Sequence, residues 1–428
     1  MHESLEVLYG REKLGIHLPA VGHPQVIRKP EMPRIVDTEI AVRNALAGED
    51  ANTKSLFELA REAQSACIVI CDITRPVPNH LFLRPVIQTM LEAGIRSEAI
   101  AVLVATGLHR PNEGQELLEL LGDPWVLETV RVINHDARND HDHIDLGNTE
   151  TRGTPVLIDK HLVEADLKIA TGLVEPHFMA GYSGGRKVIA PGVAHARTIR
   201  TFHSYRFMAD PSAVNCNLIS NPLHEEQLEI VKKLGGAYAI NTVIDEDRNL
   251  AFINFGEINS SHEQAVKFIE GYCRVPVSKP FDVVITCGGG YPLDKTYYQT
   301  VKGMVGAMDI LAPGGDLIIA SECSEGIGSS EYIQAQKRLT QLGAKGFLNS
   351  LSSKPLADID EWQTQMQTKP MGVGEIHLYS NLDEDQSLLT GVKRIENWDE
   401  FMRCISPEKS VAIIPEGPYV IPYLAKGE

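Results

Sequence analysis

The feature that most constrains this chain is a series of short runs that are apolar from end to end. Residues 66–71 read ACIVIC, 100–107 IAVLVATG, 130–134 VRVIN and 167–174 LKIATGLV. In the second half come FDVVITCGG at 281–289, DLIIASE at 316–322 and SVAIIPEG at 410–417. A strand with one face in water alternates apolar and polar residues, whereas a strand covered on both faces does not. These runs therefore read as buried strands of parallel sheets. Helical patterns separate them, such as NHLFLRPVIQTMLEAG at 79–94 and SSEYIQAQKRLTQLG at 329–343. Such alternation defines an α/β architecture.

At 428 residues the chain exceeds what one hydrophobic core usually serves, so two α/β domains with largely parallel sheets are expected. AYAINTVID and NLAFINFGEI within 237–258 read as an antiparallel hairpin turning across Glu246, Asp247 and Arg248. A helix and a proline-containing connector follow, which places the boundary near 260–280. The expected domains are residues 1–270 and 271–428, with part of the last segment packing back on the first domain. No internal repeat is visible.

Composition removes several function classes. Lys and Arg number 40 against 57 Asp and Glu, a net charge of −17. A nucleic-acid binder needs a basic face, so none is expected here. An anionic substrate would require cations gathered locally against the overall field. The seven cysteines are odd in number, scattered and without a CxxC pair, which supports neither a disulfide framework nor a zinc ribbon. No apolar run reaches the roughly 18 residues of a membrane span. The first residues, MHESLEVLYGREKLGIHL, lack the apolar centre of a signal peptide. A cytoplasmic protein is expected.

Ligands of open α/β sheets bind beyond the carboxyl ends of the strands. Those positions hold Asp72, Arg75 and Pro76 after the first run, and His109 and Arg110 after the second. Glu175 and His177 follow the fourth, and Gly288, Gly289 and Gly290 with Asp294 and Lys295 follow the fifth. The densest stretch is EPHFMAGYSGGRKVIAPGVAHARTIRTFHSY at 175–205. Its SGGRK segment suits a backbone that approaches a ligand closely, and a helix starting near Arg186 and Lys187 would point its positive end at an anion. The spacing is neither a P-loop nor a dinucleotide fingerprint. Taken singly, Arg75 reads as a surface pair, Lys187 as a solvated lysine and His203 as a packing residue; their joint appearance carries the argument. NHDARNDHDHID at 134–145, with His135, Asp136, His141, Asp142 and His143, could bind a divalent metal, but a solvated acidic loop is favoured because no fixed ligand spacing is met.

Together, Asp72-x-x-Arg75-Pro76, His109, EPHFMAGYSGGRK, His203 and YQTVKG at 298–303 resemble the nickel-dependent lactate racemase family. The resemblance implies two α/β domains with an active site in the cleft between them, and a racemase or epimerase of 2-hydroxy acids, foremost lactate. It implies a nickel pincer nucleotide, the pyridinium-3-thioamide-5-thiocarboxylic acid mononucleotide, carrying Ni(II) and built by separate maturation enzymes. Carried onto this sequence, Lys187 would be the covalent attachment point and His203 the nickel ligand. His109 and His177 would be the acid/base pair. Arg75, Gln299 and Lys302 would hold the substrate. Asp72, Tyr298, Ser183, Gly184 and Gly185 would lie against the cofactor or order these groups. The implied chemistry removes hydride from C2 to give a planar 2-oxo acid that is reduced again on either face. One imidazole on each face would move the hydroxyl proton. Malate, 2-hydroxyglutarate or a sugar acid remain alternatives to lactate. A nicotinamide-dependent dehydrogenase is a further alternative, without its fingerprint.

Overall fold

The structure is a computed structural model that describes residues 5–18, 23–48 and 53–425. The chain divides into two compact units, each built from more than one segment. One comprises residues 31–202 and 217–271. The other comprises residues 1–30, 203–216 and 272–428. His203 thus belongs to the same unit as Tyr298, Gln299 and Lys302.

The 31–202/217–271 unit holds a six-stranded sheet. Its spatial order is Leu250–Glu257, Tyr238–Ile244, Leu167–Leu173, Ala66–Cys71, Ile100–Ala105 and Arg131–Asn134. All neighbours are parallel except the first pair, which forms the expected hairpin. Its turn is an Asx turn, in which the Asp245 carboxylate accepts from the Asp247 and Asn249 amides.

The apolar runs are strands because both sheet faces are covered. Ala66, Cys67, Ile68, Val69 and Ile70 are all buried. On one face Ile68, Ile70, Val102, Val104 and Ile169 pack with Phe82, Leu83, Val86, Ile87 and Met90 of helix Asn79–Glu92. Those helix positions recur at the spacing of one apolar stripe. Each fully buried Val, Leu or Ile contributes about 1.5–3 kcal/mol, so this layer outweighs any surface ion pair in fixing the sheet.

Strand order reverses between Ala66–Cys71 and Leu167–Leu173. The chain leaves the first toward Ile100–Ala105 and later returns to its other side. The crevice beyond these two carboxyl ends is the topological switch point, where open α/β sheets bind ligands.

The other unit has a second six-stranded sheet, all parallel, ordered Lys393–Arg394, Glu375–Tyr379, Leu311–Ala320, Phe281–Cys287, Val411–Ile413 and Gln25–Val26. The last segment supplies Val411–Ile413 to this sheet, and Ile421–Leu424 pairs with Arg274–Val277. Its order reverses between Phe281–Cys287 and Val411–Ile413. The first of these leads through the Gly288, Gly289 and Gly290 turn into helix Tyr297–Ala307. The helix expected at 329–343 continues to Leu351, with a break at Gly343, whose φ is +66°. No helix among the described residues is long and apolar enough to cross a membrane.

Candidate active site

The switch point of the 31–202/217–271 unit gathers eight of the expected residues. The chain turns at Asp72, where the Arg75 amide donates to the Asp72 carbonyl. Asp72 is buried. Its Oδ1 accepts from the Thr74 hydroxyl at 2.6 Å, and its Oδ2 accepts from His109 Nδ1 at 2.6 Å. Burial alone would raise the Asp72 pKa, but the His109 contact, the Thr74 hydroxyl and the Arg75 charge outweigh it and the net shift is downward. Asp72 is therefore an ionised carboxylate that fixes the His109 proton on Nδ1 and leaves Nε2 as the basic nitrogen. This is the carboxylate–imidazole geometry of general-base catalysis. The His109 side chain is 46% exposed, so its Nε2 edge is open to a ligand.

Arg75 lies between the two strand ends. Its Nη1 donates to Glu175 Oε1 at 3.0 Å, and both side chains are mostly buried. Glu175 is cinched by Ser183: the Glu175 amide donates to Ser183 Oγ at 3.0 Å, and the Ser183 amide donates to the Glu175 carbonyl. Ser183 Oγ itself donates to the Leu173 carbonyl at 2.7 Å. The guanidinium is thus aimed by a carboxylate that is itself locked to the strand end.

His177 starts a two-residue ladder with Gly181 and Tyr182 and is 7% exposed. Its Nδ1 accepts from the Met179 and Ala180 amides at 3.3 and 3.2 Å. The neutral ring therefore carries its proton on Nε2. His109 and His177 sit in opposite tautomers.

The glycine-rich segment serves packing. Gly184 has φ +76°, and a Cβ there would lie 2.6 Å from Val174 Cγ2. Gly185 has φ +49°, and a Cβ there would lie 2.8 Å from His262. Gly184 lets the turn press onto the end of strand Leu167–Leu173, and Gly185 lets it press against His262. The helix that follows, Arg186–Ile189, is a single turn. Arg186 is fully buried and donates to the carbonyls of Ala180 and Gly184, to His224 Nδ1 at 3.0 Å, and lies 2.9 Å from His262 Nε2. This buried hub holds the next residue, Lys187, whose pKa is pushed down to about 7 by burial first, then by the Arg75 charge, with Arg186 adding to it. A lysine amine in that range is a nucleophile near neutral pH.

The other unit gathers the remaining residues. Tyr298, Gln299 and Lys302 lie on the first turns of helix Tyr297–Ala307, within one helical repeat of each other. Tyr298 Oη accepts from Trp362 Nε1 at 3.2 Å, and the Tyr298 carbonyl accepts from Gln363 Nε2 at 2.5 Å. The His203 ring lies 4.8 Å from the Trp362 ring. Trp362 therefore ties His203 to Tyr298. Gln299 Oε1 is buried with no hydrogen-bond partner, and Lys302 Nζ is buried as well. A buried amide oxygen left unpaired costs free energy that a ligand donor would recover.

Sequence reasoning missed Trp362, Gln363 and the Arg186 hub. Helix Glu361–Met371 gave no usable signal: its Gln- and Thr-rich residues are polar in composition, yet the structure buries them almost throughout. The charged residues of the 134–145 stretch are largely exposed, Asp136, Asp140, His141 and Asp145 among them, as a solvated loop requires, but one imidazole is not. His135 is 3% exposed and its Nε2 lies 3.0 Å from His143 Nε2, because the loop folds back under strand Ile100–Ala105. Burial pushes the His135 pKa down to about 3, aided by the neighbouring His143 and His195.

Among the described residues, one group of three acid or imidazole ligand atoms is close enough to hold a metal: Asp316, Glu375 and His377. Its carboxylates are already matched. Lys409 sits 2.6 Å from Asp316, Lys393 sits 2.6 Å from Glu375, and His377 Nε2 lies 3.0 Å from Asp316. We read it as an ion-pair cluster.

These features define an α/β protein equipped for proton transfer at an oxygen held beside an arginine. The sequence pattern of the lactate racemase N-terminal domain matches residues 9–215, and that of the lactate racemase C-terminal domain matches residues 277–421. The lactate racemase of Thermoanaerobacterium thermosaccharolyticum is 34% identical over 367 residues, 85% of this chain and 84% of that one. The lactate racemase of Lactiplantibacillus plantarum is 30% identical over 405 residues, 91% of this chain and 94% of that one. The solved apoprotein of the Thermoanaerobacterium enzyme superposes with a TM-score of 0.87 at 29% identity, covering 98% of this chain and all of that one. A Thermotoga maritima protein shares the fold, with a TM-score of 0.69 at 18% identity over 92% of this chain and all of that one. The chain belongs to the lactate racemase family.

Proposed function

We propose that this protein is a lactate racemase that interconverts the D and L forms through a 2-oxo acid. The observation that carries the reading is the assembly at one switch point of the Asp72–His109 dyad, the Glu175-aimed Arg75, His177 and the low-pKa Lys187. A carbon acid beside an ionised carboxylate is very weak, which disfavours direct proton abstraction and favours loss of the C2 hydrogen as hydride. Arg75 clamps the substrate carboxylate in a bidentate fork. His109 Nε2 takes the hydroxyl proton, and the Asp72 carboxylate compensates the charge that develops. For the other enantiomer we assign His177, whose Nε2–H would give its proton to the substrate oxygen as the 2-oxo acid is reduced, the ring regaining it from solvent. Gln299 and Lys302 would offer a hydrogen bond and a positive charge to a substrate carboxylate.

The residues fit the nickel pincer nucleotide by their donor chemistry. Lys187 offers an amine that is neutral near physiological pH, as attachment to an activated thioacid demands. His203, held by Trp362, offers an imidazole of the kind that suits Ni(II). Tyr298 would lie along the cofactor, and Ser183, Gly184 and Gly185 would hold the turn that presents Lys187. When bound, the group supplies a two-electron hydride acceptor. Its maturation enzymes are the partners this reading requires, and a cytoplasmic location goes with it.

The test is chiral analysis of L-lactate incubated with protein produced alongside the maturation enzymes. Conversion toward a racemic mixture is expected. Turnover of malate, 2-hydroxyglutarate or a sugar acid in place of lactate would redirect the substrate assignment.

A further inference from the structure

The 134–145 loop and its surroundings hold a histidine cluster that the proposed reaction does not use. His135 follows edge strand Arg131–Asn134, and His143 opens strand His143–Asn148. Their Nε2 atoms are 3.0 Å apart. His143 Nδ1 lies 2.8 Å from the Asn139 carbonyl, an acceptor only, so this nitrogen carries the His143 proton. His143 Nε2 is then a lone pair, and the contact requires a proton on His135 Nε2. That choice leaves His135 Nδ1 as a bare lone pair facing Thr106 Oγ1 at 3.5 Å. The Thr106 hydroxyl proton is committed elsewhere, to the His135 carbonyl at 2.6 Å. An acceptor therefore faces an acceptor in a buried place.

We propose that His135 and His143 together bind one divalent transition-metal ion of borderline softness, such as zinc. The ion would replace the proton between the two Nε2 atoms. His135 would then carry its proton on Nδ1 and donate it to Thr106 Oγ1, which removes the mismatch. Both imidazoles would present Nε2 to the metal and give their other N–H to an oxygen, the usual outer arrangement of metal-bound histidines. Metal–nitrogen bonds of about 2.0–2.1 Å set the two nitrogens about 2.8–3.0 Å apart at square angles and about 3.3–3.4 Å apart at tetrahedral ones, a range that includes the observed 3.0 Å contact. Asp142 and Asp159 lie near enough to act on the His143 charge and would offset the cation. His195 is engaged otherwise, with Nε2 on Asp140 and Nδ1 accepting from the Arg197 amide, so water completes the coordination. Such an ion would fasten the end of the edge strand to the start of the next.

Full-length protein stripped with chelator and titrated with zinc chloride tests this. About one zinc more per chain is expected in wild type than in His135→Gln or His143→Gln, as a single two-imidazole site requires. His377→Asn, in the matched ion-pair cluster, is expected to equal wild type. Zinc held by His203 would persist in both loop variants and so is told apart. In wild type alone, zinc is also expected to protect His143 from diethyl pyrocarbonate, read by peptide mass. Equal zinc in wild type and both loop variants, or unprotected His143, would overturn the proposal.

Discussion

His109 and His177 differ by which nitrogen holds the proton, and the difference comes from single neighbours. Asp72 takes the Nδ1 proton of His109, while two backbone amides occupy Nδ1 of His177. Nitrogen-15 NMR of the histidine rings is expected to show His109 protonated at Nδ1 and His177 at Nε2; the same tautomer at both would refute the assignment. Under the proposed roles, His109→Ala and His177→Ala each lower kcat on the order of 10²–10⁴-fold, while intact mass still shows the covalent adduct. Loss of the adduct in both variants would point instead to cofactor-binding roles. Lys187 gives a prediction about stability. Its folded pKa of about 7 lies below its unfolded value, so the unfolded chain binds more protons above pH 7. The Lys187 contribution makes stability rise with pH from about 7 until the unfolded lysine also titrates. Below pH 7 the cost of the buried charge is fully present. Lys187→Met should therefore be more stable than wild type at pH 6, with a gap that shrinks by pH 10. Denaturant midpoints at both pH values check this.

The elements that present these groups are governed by packing. Gly184→Ala would place a Cβ 2.6 Å from Val174 Cγ2 at a φ of +76°. A left-handed non-glycine residue costs about 1–2 kcal/mol before any overlap is counted. A drop in thermal midpoint is expected, with lower adduct yield as Lys187 shifts; an unchanged midpoint would show that the turn is not tightly packed. The strands were legible because buried parallel strands leave an unbroken apolar signature, as in ACIVIC, which became Ala66–Cys71 unchanged. The strand-end rule then found Asp72, Arg75, His109 and His177 without any contact information. Trp362 was not legible. Its contacts with Tyr298 and His203 span 64 and 159 positions of sequence, and nothing local in EWQTQMQT encodes them. The pairing of His135 with His143 was hidden for a different reason: charge-rich composition suggests water, whereas the fold buries one of the two rings.

Across the whole molecule, the two units show the same construction. Each has a parallel sheet with a reversal of strand order, and each places its polar groups just past the strand beside that reversal. Under the proposed roles, Arg75 and Lys302 would each supply a cation within a chain whose net charge is −17, so attraction of a carboxylate would be a local property and not one of the overall field. The central claim is that proton and hydride leave lactate by separate routes, the proton to an imidazole and the hydride to a bound acceptor. The measurement that tests it most directly is racemisation of L-lactate in deuterium oxide by the loaded enzyme, with chirality and C2 isotope content read on the same sample. The account predicts D-lactate that retains protium at C2. Deuterium entering C2 during conversion, or no D-lactate from protein shown by intact mass to carry the adduct, would contradict it.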